Sequence, residues 1–424
     1  MRKKLKKVLN DDLLKHSSLV FVGAMTANIF NYFFQVTMGR MLEVETFGEM
    51  NALYSLLAVL AIPYTAITFY LGKAISHCLA LKKEKEANDL ILKSYKNLFI
   101  AATVFCFIGM LFSRGVADYL KIESTYPVLL LFLIIFVSLI PPINTGILQS
   151  FQNFKMLSFL NAGLGAFRYF ICLLFVLAGY KLNGVLFGSV LTVIIVGYIT
   201  FIPIRNHLLL GREEYKREDE NIAQYIIPVL MASLSFTVLT QMDLVLVKNY
   251  FSPFDAGIYS SAAVIGRAVM VLPASIAVSM FPMVASSKAK DEGTLHLILK
   301  SLSMTLILSG SLTLVLFLFP ELIISVFFGE KFIEAGEILA YFALAMLPMS
   351  FVMVLMNYNL AKGEKSFSYL MLIGAILEVV GIMQFHDSLL EVLKVILCSG
   401  LFCVVLLFAL LAFQYYRPNV PSSR

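Results

Sequence analysis

Long unbroken apolar runs separated by short polar stretches set the pattern of this chain. The runs cover residues 17–38, 50–72, 98–113, 127–148, 157–178, 184–204, 223–247, 258–284, 302–320, 336–356, 367–385 and 393–414. Most reach the roughly 20 residues that carry an α-helix across a bilayer. Continuous apolar segments, in place of ten-residue alternation, exclude a transmembrane β-barrel. The pattern therefore predicts an all-α polytopic membrane protein with twelve spanning helices. The largest polar connections, 73–97 and 205–221, are rich in lysine and glutamate and are expected to form short surface helices. Neither has room for a soluble catalytic domain, so the chain is not expected to be an enzyme. Residues 1–16 carry six Lys/Arg, with Leu5, Leu9 and Leu13 one turn apart, and suit a helix lying on an anionic membrane surface.

Six runs are followed by six more, and the two sets match at intervals. Phe47-Gly48-Glu49-Met50 aligns with Ala256-Gly257-Ile258-Tyr259 at an offset of 209. Pro63 aligns with Pro273, Gln149 with Asn359 and Lys155 with Lys365, each at 210. A constant offset predicts a parallel duplication: two pseudo-symmetric six-helix bundles, residues 1–210 and 211–424, joined by a linker at about 205–221.

Composition agrees with the pattern. The chain is 59% apolar and 14% charged, against about 45–50% and about 25% in soluble domains. Charge adds orientation. With the N-terminus inside, 24 of the 33 Lys/Arg fall on the cytoplasmic side and 7 at the outside (counting Lys394 at the outer end of the last run), and Arg168 and Arg267 lie within spans. That bias predicts cytoplasmic N- and C-termini in a cytoplasmic (inner) membrane. The net charge of +6 follows from this topology and needs no nucleic-acid partner. The five cysteines have no CxxC spacing and the five histidines are scattered singly, so neither a disulfide frame nor a metal site is expected.

Met38-Gly39-Arg40-Met41-Leu42 followed by Phe47-Gly48 resembles the signature of the polysaccharide transporter family, the oligosaccharide (O-antigen-like) flippases of the multidrug/oligosaccharidyl-lipid/polysaccharide (MOP) exporter superfamily. So does Asp243 with Asp255-Ala256-Gly257-Ile258-Tyr259 and Phe281-Pro282, and so does the stretch from Ile323 through Phe328-Gly329-Glu330-Lys331-Phe332. The resemblance implies two bundles in the V shape of MATE and other MOP proteins, alternating access, and a polyprenyl-diphosphate-linked oligosaccharide as cargo. Twelve spans, rather than fourteen, set the chain apart from the peptidoglycan-precursor flippases.

Charges inside apolar runs are expensive and mark candidate sites. Arg168 lies mid-span and the repeat offset carries it onto Glu378, so the halves place opposite charges at equivalent depth. The pair is expected either to lock the halves together or to line the substrate cavity. There the planar fork of Arg168 could hold a pyrophosphate while Glu378 competes for it. Asp243, with Gln241 beside it, is either paired with Lys248 or Arg267 or serves to couple transport to a proton or sodium gradient. Arg267 sits too deep to snorkel easily. Asn31 is one of several amides at helical spacing that could line a sugar path or bond between helices. Pro63, Pro141, Pro273 and Pro348 are candidate hinges or kinks. There is no nucleotide-binding loop, so no cofactor is expected beyond a possible H+ or Na+ gradient.

The expected function is a flippase for a surface polysaccharide repeat unit, with membrane lipids and other polysaccharide-assembly proteins as neighbours. A multidrug antiporter of the same superfamily is the nearest rival and would favour a carboxylate-dominated cavity. A membrane glycan polymerase or ligase would need large outside loops.

Overall fold

The computed structural model describes residues 12–208, 211, 213, 215, 222–289 and 294–416. The first half contains α1 (Asp12–Met41), α2 (Val44–Leu60), α3 (Ile62–Ala80), α4 (Glu84–Leu111) and the short α5 (Ser113–Tyr119). It continues with α6 (Tyr126–Val137), α7 (Ile140–Ser150), α8 (Phe154–Leu177) and α9 (Lys181–Leu208). The second half contains α10 (Ile222–Tyr250), α11 (Pro253–Gly266), a 3₁₀ turn (Arg267–Met270), α12 (Val271–Ala289) and α13 (Leu295–Leu318). After these come α14 (Pro320–Phe328), a second 3₁₀ turn (Glu330–Phe332), α15 (Ala335–Lys362), α16 (Ser366–Gln384) and α17 (Leu389–Tyr416). Among the described residues eleven spans are long and apolar enough to cross a membrane, and the bent pair α2–α3 makes up to twelve. No strand occurs among the described residues.

Proline explains most of the interruptions. Between α2 and α3 the axis bends by 40°, with Pro63 in the first turn of α3. Pro141 opens α7 in the same way, after a break at Ser138-Leu139. Pro273 has no amide hydrogen, which frees the carbonyl of Val269 four residues earlier. Two hydroxyls from other helices take up that carbonyl, Ser309 Oγ at 2.9 Å and Ser350 Oγ at 3.3 Å. The break is thereby a fixed element of the fold. Pro348 behaves otherwise, lying buried inside the continuous α15 without interrupting it.

Paired hydroxyls at Val269 make a graded prediction. Ser309→Ala or Ser350→Ala alone should change stability little, because the remaining serine still satisfies the carbonyl. The double variant should lose about 1–3 kcal/mol, the cost of a buried acceptor left bare. Thermal unfolding of the purified variants reads this directly, and a double variant as stable as wild type would refute it.

Contacts divide the chain into two compact units. The first comprises Met1–Thr46 and Leu60–Ile226, the second Phe47–Val59 and Ile227–Arg424. This differs from a simple cut at residue 210, since most of α2 belongs with the C-terminal half. In the first unit α8 packs along α1 and α9, and α7 packs on α3. In the second, α15 is the central helix, touching α11, α12, α13, α14 and α17.

One expectation from the sequence does not hold, and a second falls largely outside the described residues. Segment 73–97 is not a separate surface helix: α3 runs on to Ala80 and α4 starts at Glu84, leaving a short turn. Of segment 205–221, residues up to Leu208 end α9. The described positions beyond it are non-helical, because α4 holds their backbone: Asn88 donates to the carbonyls of His207 and Gly211, and Asp89 accepts from the Tyr215 amide. The surface helix expected at residues 1–16 lies almost wholly outside the described residues.

Candidate functional site

Small residues bring α2 against α11 within the second unit. A Cβ placed on Gly48 would lie 2.8 Å from the backbone nitrogen of Gly257 and 3.0 Å from its Cα. Only glycine permits that approach. At this crossing the two residues are those that the offset of 209 aligns in the sequence. Phe47 beside it is fully buried against the rings of Phe328 and Phe332. Gly329, between those two phenylalanines, has φ +86°, a turn that favours glycine. Farther along α2, Glu49 Oε1 lies 3.6 Å from Nζ of the fully buried Lys248.

The crossing places a polar cluster inside the unit. Arg267, first residue of the 3₁₀ turn, donates to Asp243 Oδ1 at 2.6 Å and to Gln241 Oε1 at 3.2 Å. Tyr259 donates to Asp243 Oδ2 at 2.9 Å, and Ser55 of α2 donates to Gln241 Oε1 at 3.1 Å. Asp243 and Tyr259 are buried, while Gln241 and Arg267 are half-buried and form the accessible edge of the cluster. The Arg267 guanidinium also lies 5.7 Å from the centre of the Phe342 ring, which stacks edge-on to Tyr259. A partner set of this kind is what keeps a guanidinium and a carboxylate together in a medium of low dielectric.

Glu378 is the second carboxyl of this interior. It projects from α16 towards α17, where Ser399 Oγ lies 2.6 Å from its Oε2. Asp243 and Arg267 are close enough for their charges to act on it.

Arg168 stands in the first unit. Ser158 donates to the Leu19 carbonyl and Gly165 packs on the Ala27 backbone, which turns this face of α8 onto α1. Its guanidinium carbon sits 4.2 Å above the ring of Phe34, a cation–π contact. Asn31 is half-buried one turn earlier on α1. Asn144 of α7 is the amide with the fullest partner set, bonded to Tyr95, to Thr200 and to the Gly197 carbonyl. It ties helices together inside its own unit.

The structure thus joins Asp243, Arg267 and Gln241, with Glu378 nearby. Asp243 takes Arg267, not Lys248, because Glu49 supplies the lysine's counter-charge. Tyr259, Ser55 and Ser399 were not singled out as site residues from the sequence. Tyr259 belongs to a recognisable signature, but a lone serine in an apolar run carries no signal of its own.

The family model described as "Polysaccharide biosynthesis protein" matches residues 37–337, most of the chain. The chain belongs to that family. Its fold is that of the MOP superfamily. A multidrug resistance MATE family transporter in an inward-facing conformation is 12% identical with a TM-score of 0.75, over 93% of this chain and 98% of that one. The lipid II flippase MurJ, inward closed, is 14% identical with a TM-score of 0.71, over 93% and 87%. An uncharacterised membrane protein of Methanocaldococcus jannaschii is 24% identical over 391 residues, 87% of this chain and 90% of that one. The family member described here is a multi-pass membrane protein with the fold of the MOP transporters.

Proposed function

We propose that this transporter is a flippase for a polyprenyl-diphosphate-linked oligosaccharide, moving the repeat unit of a surface polysaccharide across the cytoplasmic membrane by alternating access. The family match supports the cargo class, and the likeness to MurJ supports a fold able to serve it. The observation that carries the reading is the state of the intramembrane charges. Organic-cation export calls for an ionised carboxylate open to cargo. Asp243 is already taken by Arg267 and Tyr259, and Glu378 is fully buried. Arg168, a half-buried residue, carries the group that binds phosphate oxygens bidentately. The lipid tail stays in the bilayer, the cargo leaves chemically unchanged, and both termini face the cytoplasm in keeping with the lysine and arginine bias. An ion gradient is the energy source that fits a chain without a nucleotide motif.

The test is export of a surface glycan in a bacterial strain deleted for its own flippase. Wild type should restore the glycan. Arg168→Ala, inserted at equal level, should lower export by about ten- to a hundred-fold, the worth of a charged hydrogen bond of about 1.5–3 kcal/mol. Failure of correctly inserted wild type to restore any of several polyprenyl-linked glycans, together with new resistance to cationic dyes, would overturn the reading in favour of drug export.

A further inference from the structure

Asp243 and Glu378 are both shut away from solvent, at 1% and 0% exposure, yet their surroundings differ in kind. Asp243 receives donated hydrogens from Arg267 and Tyr259, an environment built for an anion. Glu378 has no comparable supply. Ser399 Oγ lies 2.6 Å from Oε2, and Oε1 is buried with no hydrogen-bond partner. The same Ser399 Oγ lies 2.9 Å from the carbonyl of Ile396.

A serine hydroxyl has one hydrogen to give and two lone pairs that accept. Ser399 can give its hydrogen to Glu378 or to Ile396, not to both. If Glu378 is ionised, the charge rests on a carboxylate with a single donor at most, at Oε2, and with none at Oε1. If Glu378 carries a proton, it donates to Ser399, Ser399 donates to Ile396, and the chain closes. The charges agree. Asp243 and Arg267 cancel, so a neutral Glu378 leaves the cluster neutral, whereas an ionised one leaves an unbalanced negative charge in a medium of low dielectric.

The titratable and charged groups acting on this site come from each side of it: Cys403 on α17, Asp243 on α10, Tyr259 on α11 and Arg267 in the 3₁₀ turn. The charged residues of α15, which also touches α16, are Glu337 and Lys362 in its first and last turns. Ser399 in turn lines a groove of about 570 Å³ between α16 and α17, whose lining includes Glu391 and Lys394. The rest of the lining is mainly apolar, and Ser399 is the residue that both borders this groove and contacts the buried acid.

We propose that Glu378 is the proton-binding site of this transporter, its proton exchanging with water by way of Ser399, while Asp243–Arg267 stays a fixed ion pair. The step makes and breaks one O–H bond, and the proton comes from and returns to water. A proton fits where an alkali cation does not, because the positive charge of Arg267 already acts on the carboxyl. That the exchange drives transport rests on the flippase reading; the occupancy by a proton does not.

Full-length protein in lipid nanodiscs is treated with dicyclohexylcarbodiimide, which modifies protonated carboxyls in apolar surroundings, and the label is mapped by mass spectrometry. Label is expected on Glu378 and not on Asp243, falling as pH rises and lost in Glu378→Gln. Infrared spectra of the same samples should show a protonated-carboxyl band that Glu378→Gln removes, with thermal unfolding unchanged because the amide replaces the acid's hydrogen. In Asp243→Asn, Arg267 loses its counter-charge and Glu378 should ionise to supply it, so label and band both fall. Label on Asp243 instead, loss of both label and band in wild type, or protection of Glu378 by sodium at fixed pH would each overturn the proposal. No cargo is used, so a wrong glycan leaves this result standing. Restored export with neither label nor band sinks the proton site alone.

Discussion

Arg267→Ala should remove a large share of this protein's folding stability. The change leaves Asp243, whose side chain is 2% exposed, without the guanidinium that donates to Oδ1 at 2.6 Å. Breaking a buried pair from one side costs about 3–5 kcal/mol, a large share of the roughly 5–15 kcal/mol that holds a typical domain folded. Arg267 itself is 15% exposed, which places the expected loss toward the lower end of that range. The double variant Arg267→Met/Asp243→Asn removes both charges together and should recover most of the loss, since the penalty lies in the orphaned charge. Thermal unfolding in detergent of wild type, the single variants and the double variant forms the cycle that separates these terms. A single variant as stable as wild type would show that water reaches Asp243 and that the pair is not a buried one.

The second large effect is expected at Gly48. Its hypothetical Cβ meets backbone atoms, Gly257 N at 2.8 Å and Ala256 C at 3.0 Å, and backbone cannot rotate aside as a side chain can. Gly48→Ala should cost about 1–3 kcal/mol by overpacking. Gly48→Leu forces α2 away from α11, taking Ser55 off Gln241 and Glu49 off Lys248, and should prevent folded protein from accumulating. Fluorescence-detected size-exclusion chromatography of the two variants grades the effect. Equal monodisperse peaks for wild type and Gly48→Leu would mean that the helices do not meet here.

How much of this was legible in the sequence depends on the range of the interaction. Spans are local properties of apolar runs, so the expected helices are present, displaced mainly where helices run past the membrane, as α4 does in starting at Glu84. The proline positions marked the α2–α3 and α11–α12 interruptions, but not that two serines from distant helices hold the second one, nor that Pro348 leaves α15 whole. Asp243, Arg267 and Gln241 stood out because charge and amide are rare in lipid-length runs. Ser55 and Ser399 did not, since a serine is unremarkable until its partner is known.

The sequence by itself determined the class of molecule: many membrane helices and a handful of intramembrane charges, all fixed by hydropathy and residue type. Tertiary structure alone decided the partners. It assigned Phe47–Val59 to the second unit, gave Lys248 to Glu49 and Arg267 to Asp243, and set Glu378 beside Ser399. Hydropathy records the cost of burying each group, which is a property of the residue. Which group meets that cost depends on distances of a few ångströms between helices far apart in the chain, and only packing sets those.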